Sequence, residues 1–283
     1  MVLWPVALDS VVAIGYVEQN EPTWGATGFL VGRPVWAKDG NEIGRHVFLV
    51  TNKHVLEGEN SVVIRFNSER GKETKDYHVR LIDDELETPQ RWVGHPHDDI
   101  DVAVIGLHGA KLKEDGQQVL SFDIEILMTV DQMREANVSE GQQVYVLGYP
   151  MGLVDPMSRY PIARSGSLAR IQDALDRPSS SFLLDTFVFP GNSGGPVILS
   201  RPEYGVFIDR TQPIDFPCVI GLVSAYLPYE DIAVSLQTKE PRIKFVENSG
   251  LASALPSDYI LETIELAVKN AGKGPNPTSL YLW

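Results

Sequence analysis

Pro190-Gly191-Asn192-Ser193-Gly194-Gly195-Pro196 is the stretch on which the reading of this chain turns. A serine with glycines close on both sides lets two backbone N–H groups face one point beside the hydroxyl, because glycine takes the φ/ψ values such a turn needs. Two convergent donors next to a nucleophile are what an acyl-transfer intermediate requires for its developing oxyanion. Gly, Asn and Ser are also ordinary turn residues, so a tight polar turn would use the same string. The rest of the chain has to decide between them.

The same residues fit G-x-S-x-G, the nucleophile elbow, where the acid and then the histidine follow the serine and a helix follows the elbow. This chain refuses both features. Its six histidines stand at 46, 54, 78, 95, 97 and 108, all before Ser193. Gly194-Gly195-Pro196-Val197-Ile198-Leu199 reads as a strand. The order acid, histidine, serine is open to Asp9 or Asp39 with His54, but that arrangement also wants a helix at the serine. The order left is histidine, acid, serine.

His54 is the best histidine, in Val50-Thr51-Asn52-Lys53-His54-Val55. It follows the apolar run Val47-Phe48-Leu49-Val50, so a short turn would hold it at a barrel rim. Asp101 is the best acid, opening Asp101-Val102-Ala103-Val104-Ile105, where a carboxylate is partly desolvated yet can accept from an imidazole N–H. Asp99 lies two residues earlier, on the same face by period two, and is the runner-up.

The chain has 283 residues, room for one large domain or two small ones at about 150 residues each. Its 43% apolar and 22% charged content is that of a globular protein. A net charge of −14 gives no electrostatic reason to coat a phosphate backbone, which removes general nucleic-acid binding. The single cysteine, Cys218, excludes an intramolecular disulfide and a Cys-based zinc site, and reads as a small buried side chain.

With 24 glycines and 19 prolines, the chain favours many short strands over long helices. Val-, Ile- and Phe-rich runs bounded by turn residues predict strands at 10–17, 25–31, 46–51, 61–66, 77–82 and 101–107. A second group follows at 124–128, 143–147, 162–171, 182–189, 196–199, 219–225 and 251–255. About six strands on each side of a midpoint predict an all-β protein of two antiparallel six-stranded barrels, residues 8–125 and 126–256. A short helix is expected over 129–136 and a longer one over 257–271. In the latter Ile260, Ile264, Ala267 and Ala271 form one stripe that would dock on a barrel. Ser257 or Asp258 would cap its start, with Gly272 just past its end.

Taken in order, Thr51-Asn52-Lys53-His54-Val55, Asp101-Val102-Ala103-Val104-Ile105 and Gly191-Asn192-Ser193-Gly194-Gly195-Pro196 resemble a trypsin-like (chymotrypsin-fold) serine peptidase. More narrowly the chain resembles the bacterial HtrA-type protease domain. Ala26-Thr27-Gly28-Phe29-Leu30-Val31 is similar to that family's strand before the histidine, and Gly148-Tyr149-Pro150 and Gly221-Leu222-Val223-Ser224 to its second barrel. Residues 248–257 are similar to the strand and helix start that close it. The resemblance spans about residues 8–271 and implies a serine endopeptidase with its site between two barrels. Carried over, Ser193 is the nucleophile and His54 the general base and later acid. Asp101 fixes the imidazole tautomer, and the N–H groups of Gly191 and Ser193 form the oxyanion hole. No cofactor is implied.

Departures from the family shape the expectation. Many relatives carry Asp just before the serine, where it pairs with an N-terminal ammonium freed by zymogen cleavage. Asn192 stands there instead, so no N-terminal processing switch is expected. No PDZ-like region follows. Insertions at 201–217 and 230–245 exceed simple hairpins, as regulatory loops or tolerated surface. By resemblance the substrate pocket has its floor at Phe187-Val188-Phe189 and its wall at Ser224-Ala225-Tyr226. With no acid there, small or medium apolar side chains are expected at the cleavage site rather than Lys or Arg.

His95-Pro96-His97-Asp98-Asp99 begins like one class of zinc hydrolase site, but Ile100 follows and only His108 comes later, so the ligand count falls short and no metal is expected. A catalytically silent binding module on the same fold is a second reading, and an enzyme latent until a partner protein orders its loops is a third. Residues 1–9 have no basic n-region, and residues 216–229 are too short and too proline-broken to cross a bilayer. A soluble, cytoplasmic protein is expected. Its partners would be a protein or peptide substrate and, where loops need ordering, an activating protein, with neither nucleic acid nor membrane.

Overall fold

Apolar side chains recur on both faces of most strands here, and that pattern sets the architecture. The computed structural model describes residues 5–18, 21–37, 39–67, 74–82, 90–154, 160–176, 181–200 and 217–271. The first half contributes β1 (Val11–Glu18), β2 (Glu21–Trp36), β3 (Glu42–Thr51), β4 (Ser61–Arg65), β5 (Asp76–Arg80), β6 (Val93–Gly94), β7 (Ala103–Leu107) and β8 (Phe122–Asp123). They form one curled sheet in the order β5-β4-β1-β2-β3-β7-β6, with β8 added parallel to β2. The second half contributes β9 (Gln143–Gly148), β10 (Ile162–Arg170), β11 (Phe182–Asp185), β12 (Pro196–Leu199), β13 (Cys218–Val234) and β14 (Pro241–Pro256). These six close into a barrel in the order β10-β11-β14-β13-β12-β9.

Of the two six-stranded barrels expected, the second is present as such. The first sheet, among the described residues, stops short of ladder closure. An isolated Ile82–Gln90 bridge and a 2.9 Å bond from Arg91 N to Leu81 O bring the chain after β5 against the chain before β6. β6 itself is only two residues long, too short to carry a ladder onward.

Period-two alternation assigns each strand's two faces to different cores. In β1 to β3, Val12, Ile14, Leu30 and Leu49 fill the first sheet's interior, while Val11, Ala13, Phe29, Val31, Phe48 and Val50 point the other way. That second face meets Leu147, Ile198, Val219 and Leu222 of the barrel and Ile260, Ile264 and Ala267 of the helix Ser257–Ala271. The helix therefore seals the seam between the halves rather than capping one barrel. Ser257 and Asp258, the expected caps, both reach the barrel side. Ser257 Oγ donates to Val219 O at 2.9 Å and Asp258 Oδ2 accepts from Val130 N at 2.9 Å, so both tie the helix to the barrel.

Other expectations differ in instructive ways. Residues 124–128 are no strand: Ile124–Ile126 is a 3₁₀ turn whose N-cap is Asp123, its side chain accepting from Glu125 N at 3.3 Å. The expected helix near 129–136 is Val130–Glu135, capped by Thr129 and Gln132 reciprocally. The insertion at 230–245 is a continuation of β13 and β14, paired from Tyr229–Glu247 to Val234–Pro241 and projecting beyond the barrel. Residues 201–216 of the other insertion, and Gly272, lie outside the described residues. Cys218 is buried.

Phe29 is fully buried at the seam, its ring edge-on to Phe122 with centroids 5.8 Å apart. Phe29→Ala is expected to cost about 3–5 kcal/mol of stability in denaturant titration. A change within about 0.5 kcal/mol, as at a surface site, would contradict this placement.

Candidate active site

The end of β3 delivers the histidine. Thr51 Oγ1 donates to Thr27 O at 2.8 Å, and Asn52, extended at φ −81 and ψ 155, turns the chain into a one-turn helix, Lys53–Leu56. Val55 and Leu56 are buried, which leaves His54 on the outer side with its side chain half exposed. A helical turn, rather than a simple loop, thus holds the imidazole.

Asp101 lies two residues before β7, between buried Ile100 and Val102. Its backbone O accepts from Asn52 Nδ2 at 2.7 Å, which ties the acid's loop to the residue that starts the histidine's helix. Its Oδ1 accepts from His54 N at 3.0 Å and its Oδ2 lies 2.7 Å from His54 Nδ1. A carboxylate only accepts, so in the neutral ring the proton sits on Nδ1 and Nε2 keeps its lone pair. Ser224 Oγ is the carboxylate's third donor, to Oδ2 at 3.3 Å. The runner-up, Asp99, is exposed on the same loop. The loop is turned rather than extended, with Ile100 N bonded to His97 O and Val102 N to Ile100 O, so the same-face argument from strand periodicity does not apply there.

The serine loop is built from pinned peptide planes. Asn192 N donates to Phe189 O at 2.9 Å across a turn with Pro190 second and Gly191, at φ +99, third. That is the arrangement of a type II turn, which needs glycine at its third position. A Cβ on Gly191 would stand 2.3 Å from Tyr149 O. Pro190 O accepts from Met151 N at 2.6 Å, Gly191 O from Thr27 Oγ1 at 2.6 Å, and Asn192 O from Gly195 N at 2.9 Å. Ser193 O accepts from Thr27 N at 2.9 Å. In a trans peptide the N–H points opposite to the C=O. Gly191 N–H and Ser193 N–H are thereby turned away from these anchors, and among the described residues neither meets an acceptor. Gly194 N, by contrast, is bonded to Val223 O.

Asn192 is fully buried with Oδ1 accepting from Phe189 N at 3.0 Å, while its Nδ2 has no partner among the described residues. It braces the turn internally and carries no charge. Ser193 Oγ donates to Ser224 O at 3.5 Å, the outer limit of a hydrogen bond.

These groups share an open cleft of about 380 Å³, lined by His54, Asp101 and Ser193 and by an apolar wall that includes Val188, Phe189, Val223, Ala225 and Tyr226. Ser224 lines it too. Phe187 does not. It is half exposed, and its ring lies beside Gly250, while its neighbours Val188 and Phe189 face the cleft. In the 95–99 stretch the His95 and His97 ring centroids lie 5.5 Å apart, and His97 N donates to His95 Nδ1 at 3.3 Å. His95 is buried with Nε2 2.8 Å from Glu262 Oε2, tying the loop to the C-terminal helix, while His97, Asp98 and Asp99 are exposed. Sequence reasoning missed Thr27, Thr51 and Asn52 as scaffold of the site. The available signal was two threonines at apolar strand positions and an asparagine just past a strand end, all fully buried here.

The family model for the trypsin-like peptidase domain matches residues 26–203. No curated protein matches the chain. Among solved structures it is similar to the MamO protease domain from Magnetospirillum magneticum, at 16% identity and TM-score 0.49, covering 92% of this chain and 97% of that one. It is also similar to the Rv3671c protease in an inactive form, at 18% identity and TM-score 0.43, covering 93% of this chain and 92% of that one. The HtrA-type protease AlgW with decapeptide matches at 15% identity and TM-score 0.44, covering 91% of this chain and 64% of that one.

Gly194 sits at φ +82 with a hypothetical Cβ 2.2 Å from Thr27 O and 2.3 Å from Thr51 Oγ1. Gly194→Ala should lose at least the roughly 1–2 kcal/mol of left-handed strain, more with the backbone clash, as read by chemical denaturation. An unchanged midpoint would show that the serine loop does not pack as described.

Proposed function

This chain belongs to the trypsin-like peptidase family, and from that premise we propose that it is a serine endopeptidase working through His54, Asp101 and Ser193. The observation that carries the proposal is the two-point grip of His54 on Asp101, through Nδ1 and the backbone N–H, in the same cleft as Ser193. That grip leaves Nε2 as the only free base on the ring. In the proposed cycle Ser193 Oγ swings from Ser224 O toward Nε2 by a change of χ1. Nε2 takes its proton as Oγ attacks the peptide carbonyl, because a serine hydroxyl is a weak nucleophile without a base. The carbonyl oxygen, now negative, accepts from Gly191 N–H and Ser193 N–H. The imidazolium then protonates the leaving amine, and water repeats the sequence to free the acyl group. The Asp101 carboxylate, which accepts from three donors, stabilises the imidazolium.

The substrate class in this reading is a protein or peptide with a small or medium apolar side chain at the cleavage site. Supporting it, Val188, Phe189, Val223, Ala225 and Tyr226 wall the cleft, and Asp101, the one carboxylate among the described lining residues, is engaged with His54. The first sheet would serve as the family's first barrel.

A second reading has one observation in its favour. Ser193 Oγ is bonded to Ser224 O and not to the imidazole, as in a latent enzyme that a partner activates or in a silent binding module. Reaction with a fluorophosphonate separates these readings. Labelling of the wild-type chain, absent in Ser193→Ala, is the expected result, whereas no labelling of the wild type would favour the silent or latent reading. Asp101→Asn should lower kcat by about 10³–10⁴, since the amide supports the wrong tautomer. A peptide-library profile dominated by Lys or Arg at the cleavage position would contradict the apolar assignment.

A further inference from the structure

Gly191 has the conformational freedom to turn its peptide planes over at little cost, yet the proposed oxyanion hole needs its N–H aimed one way. Something outside the loop has to hold it. Thr27, on β2 of the opposite half, is fully buried, and its hydroxyl makes two hydrogen bonds. It donates to Gly191 O at 2.6 Å and accepts from Tyr149 N at 3.0 Å. The first bond fixes the carbonyl side of Gly191 directly. The second fixes its amide side at one remove. Tyr149 leads into the 3₁₀ turn Pro150–Gly152, where Met151, at the left-handed φ of 57, donates its N–H to Pro190 O at 2.6 Å. Pro190 O and Gly191 N–H belong to one plane, so the plane's direction follows from where the Tyr149 turn sits.

The backbone of the same residue completes the hold. Thr27 N donates to Ser193 O at 2.9 Å, and Thr27 O accepts from Thr51 Oγ1, three residues before His54, at 2.8 Å. We infer that Thr27 is a positioning residue whose hydroxyl sets the oxyanion hole from the opposite half of the molecule. This rests on the serine-peptidase reading, since only there does the direction of Gly191 N–H matter to chemistry. A threonine suits the task because its β-branched side chain is stiff at χ1 in a strand, so the hydroxyl is aimed before the loop closes on it.

Thr27→Val keeps the shape and removes the hydroxyl, and Thr27→Ser keeps the hydroxyl and removes the methyl. The test compares both with the wild type in fluorophosphonate labelling rate, kcat and KM on a peptide substrate, thermal midpoint, and amide hydrogen exchange at Tyr149. The expected result is a drop of about tenfold or more in labelling rate and kcat for Thr27→Val, smaller than the 10²–10³ for losing an oxyanion donor outright. KM stays near the wild-type value, and Thr27→Ser lies closer to the wild type than to Thr27→Val. Tyr149 exchanges faster in the valine variant and not in the serine variant. Labelling of Thr27→Val at the wild-type rate overturns the positioning role while leaving the peptidase reading intact. A wild type that does not label overturns the peptidase reading. Equal Tyr149 exchange in all three proteins overturns the hydroxyl clamp whatever the activity. A thermal midpoint that falls equally in both variants, with kcat falling in step, assigns Thr27 to folding alone and also overturns it.

Discussion

Four consecutive carbonyls, from Pro190 to Ser193, each accept a hydrogen bond, and three of the donors lie outside the loop. Everything the cleft can do depends on that restraint. A glycine-rich loop is entropically costly to order and has many nearly equal conformations. Pinning its carbonyls removes the alternatives one plane at a time and turns Gly191 N–H and Ser193 N–H away from the anchors. The donors come from Met151, Thr27 and Gly195. Thr27 belongs to the first sheet and Met151 to the second half of the chain, so the loop's conformation is a property of the assembled molecule.

That dependence explains why the halves must meet without slack. The outward faces of β1 to β3, the barrel's Leu147, Ile198 and Leu222, and the helix Ser257–Ala271 share one apolar core. Close-packed interiors transmit small displacements rather than absorbing them. A shift of β2 against β9 would carry Thr27 away from Gly191 and Tyr149 together. His54 and Asp101 depend on the seam less, because both come from the first sheet's side and are linked by Asn52 Nδ2 as well as by their own side chains, with Ser224 Oγ as the donor that reaches Asp101 from the barrel. The acid–base pair is thus built within one half, while the nucleophile loop is held across the seam.

Much of this was legible in residue order. Three short strings, around His54, Asp101 and Ser193, pointed to one chemistry, and the structure brings their side chains to one cleft. Long apolar strands and the 257–271 stripe were legible too, since alternation and a 3.6 period survive any tertiary context. What was not legible depended on distance across the fold. Strand periodicity put Asp99 beside Asp101, but a local network of turns at His97 to Val102 overrode it. Phe187 was placed in the pocket by analogy, whereas its ring lies beside Gly250 and only Val188 and Phe189 of that stretch line the cleft. Residues 230–245 read as a loop because polar and apolar residues mix there, whereas cross-strand pairing with a partner segment makes them a hairpin. Thr27 looked like an ordinary polar residue in a strand, and nothing local announces a hydrogen bond to a residue 164 positions away.

The central claim is that one point in the cleft lies beside Ser193 Oγ and faces both free amides. A crystal structure of the protein with a peptidyl boronate, whose tetrahedral adduct stands in for the acyl-transfer intermediate, tests it most directly. The account predicts a bond from Ser193 Oγ to boron. One boronate oxygen should lie about 2.7–3.1 Å from both Gly191 N and Ser193 N, with His54 Nε2 facing the other side of the adduct. A boronate bound elsewhere, or bonded to Ser193 with no oxygen near those amides, would contradict it.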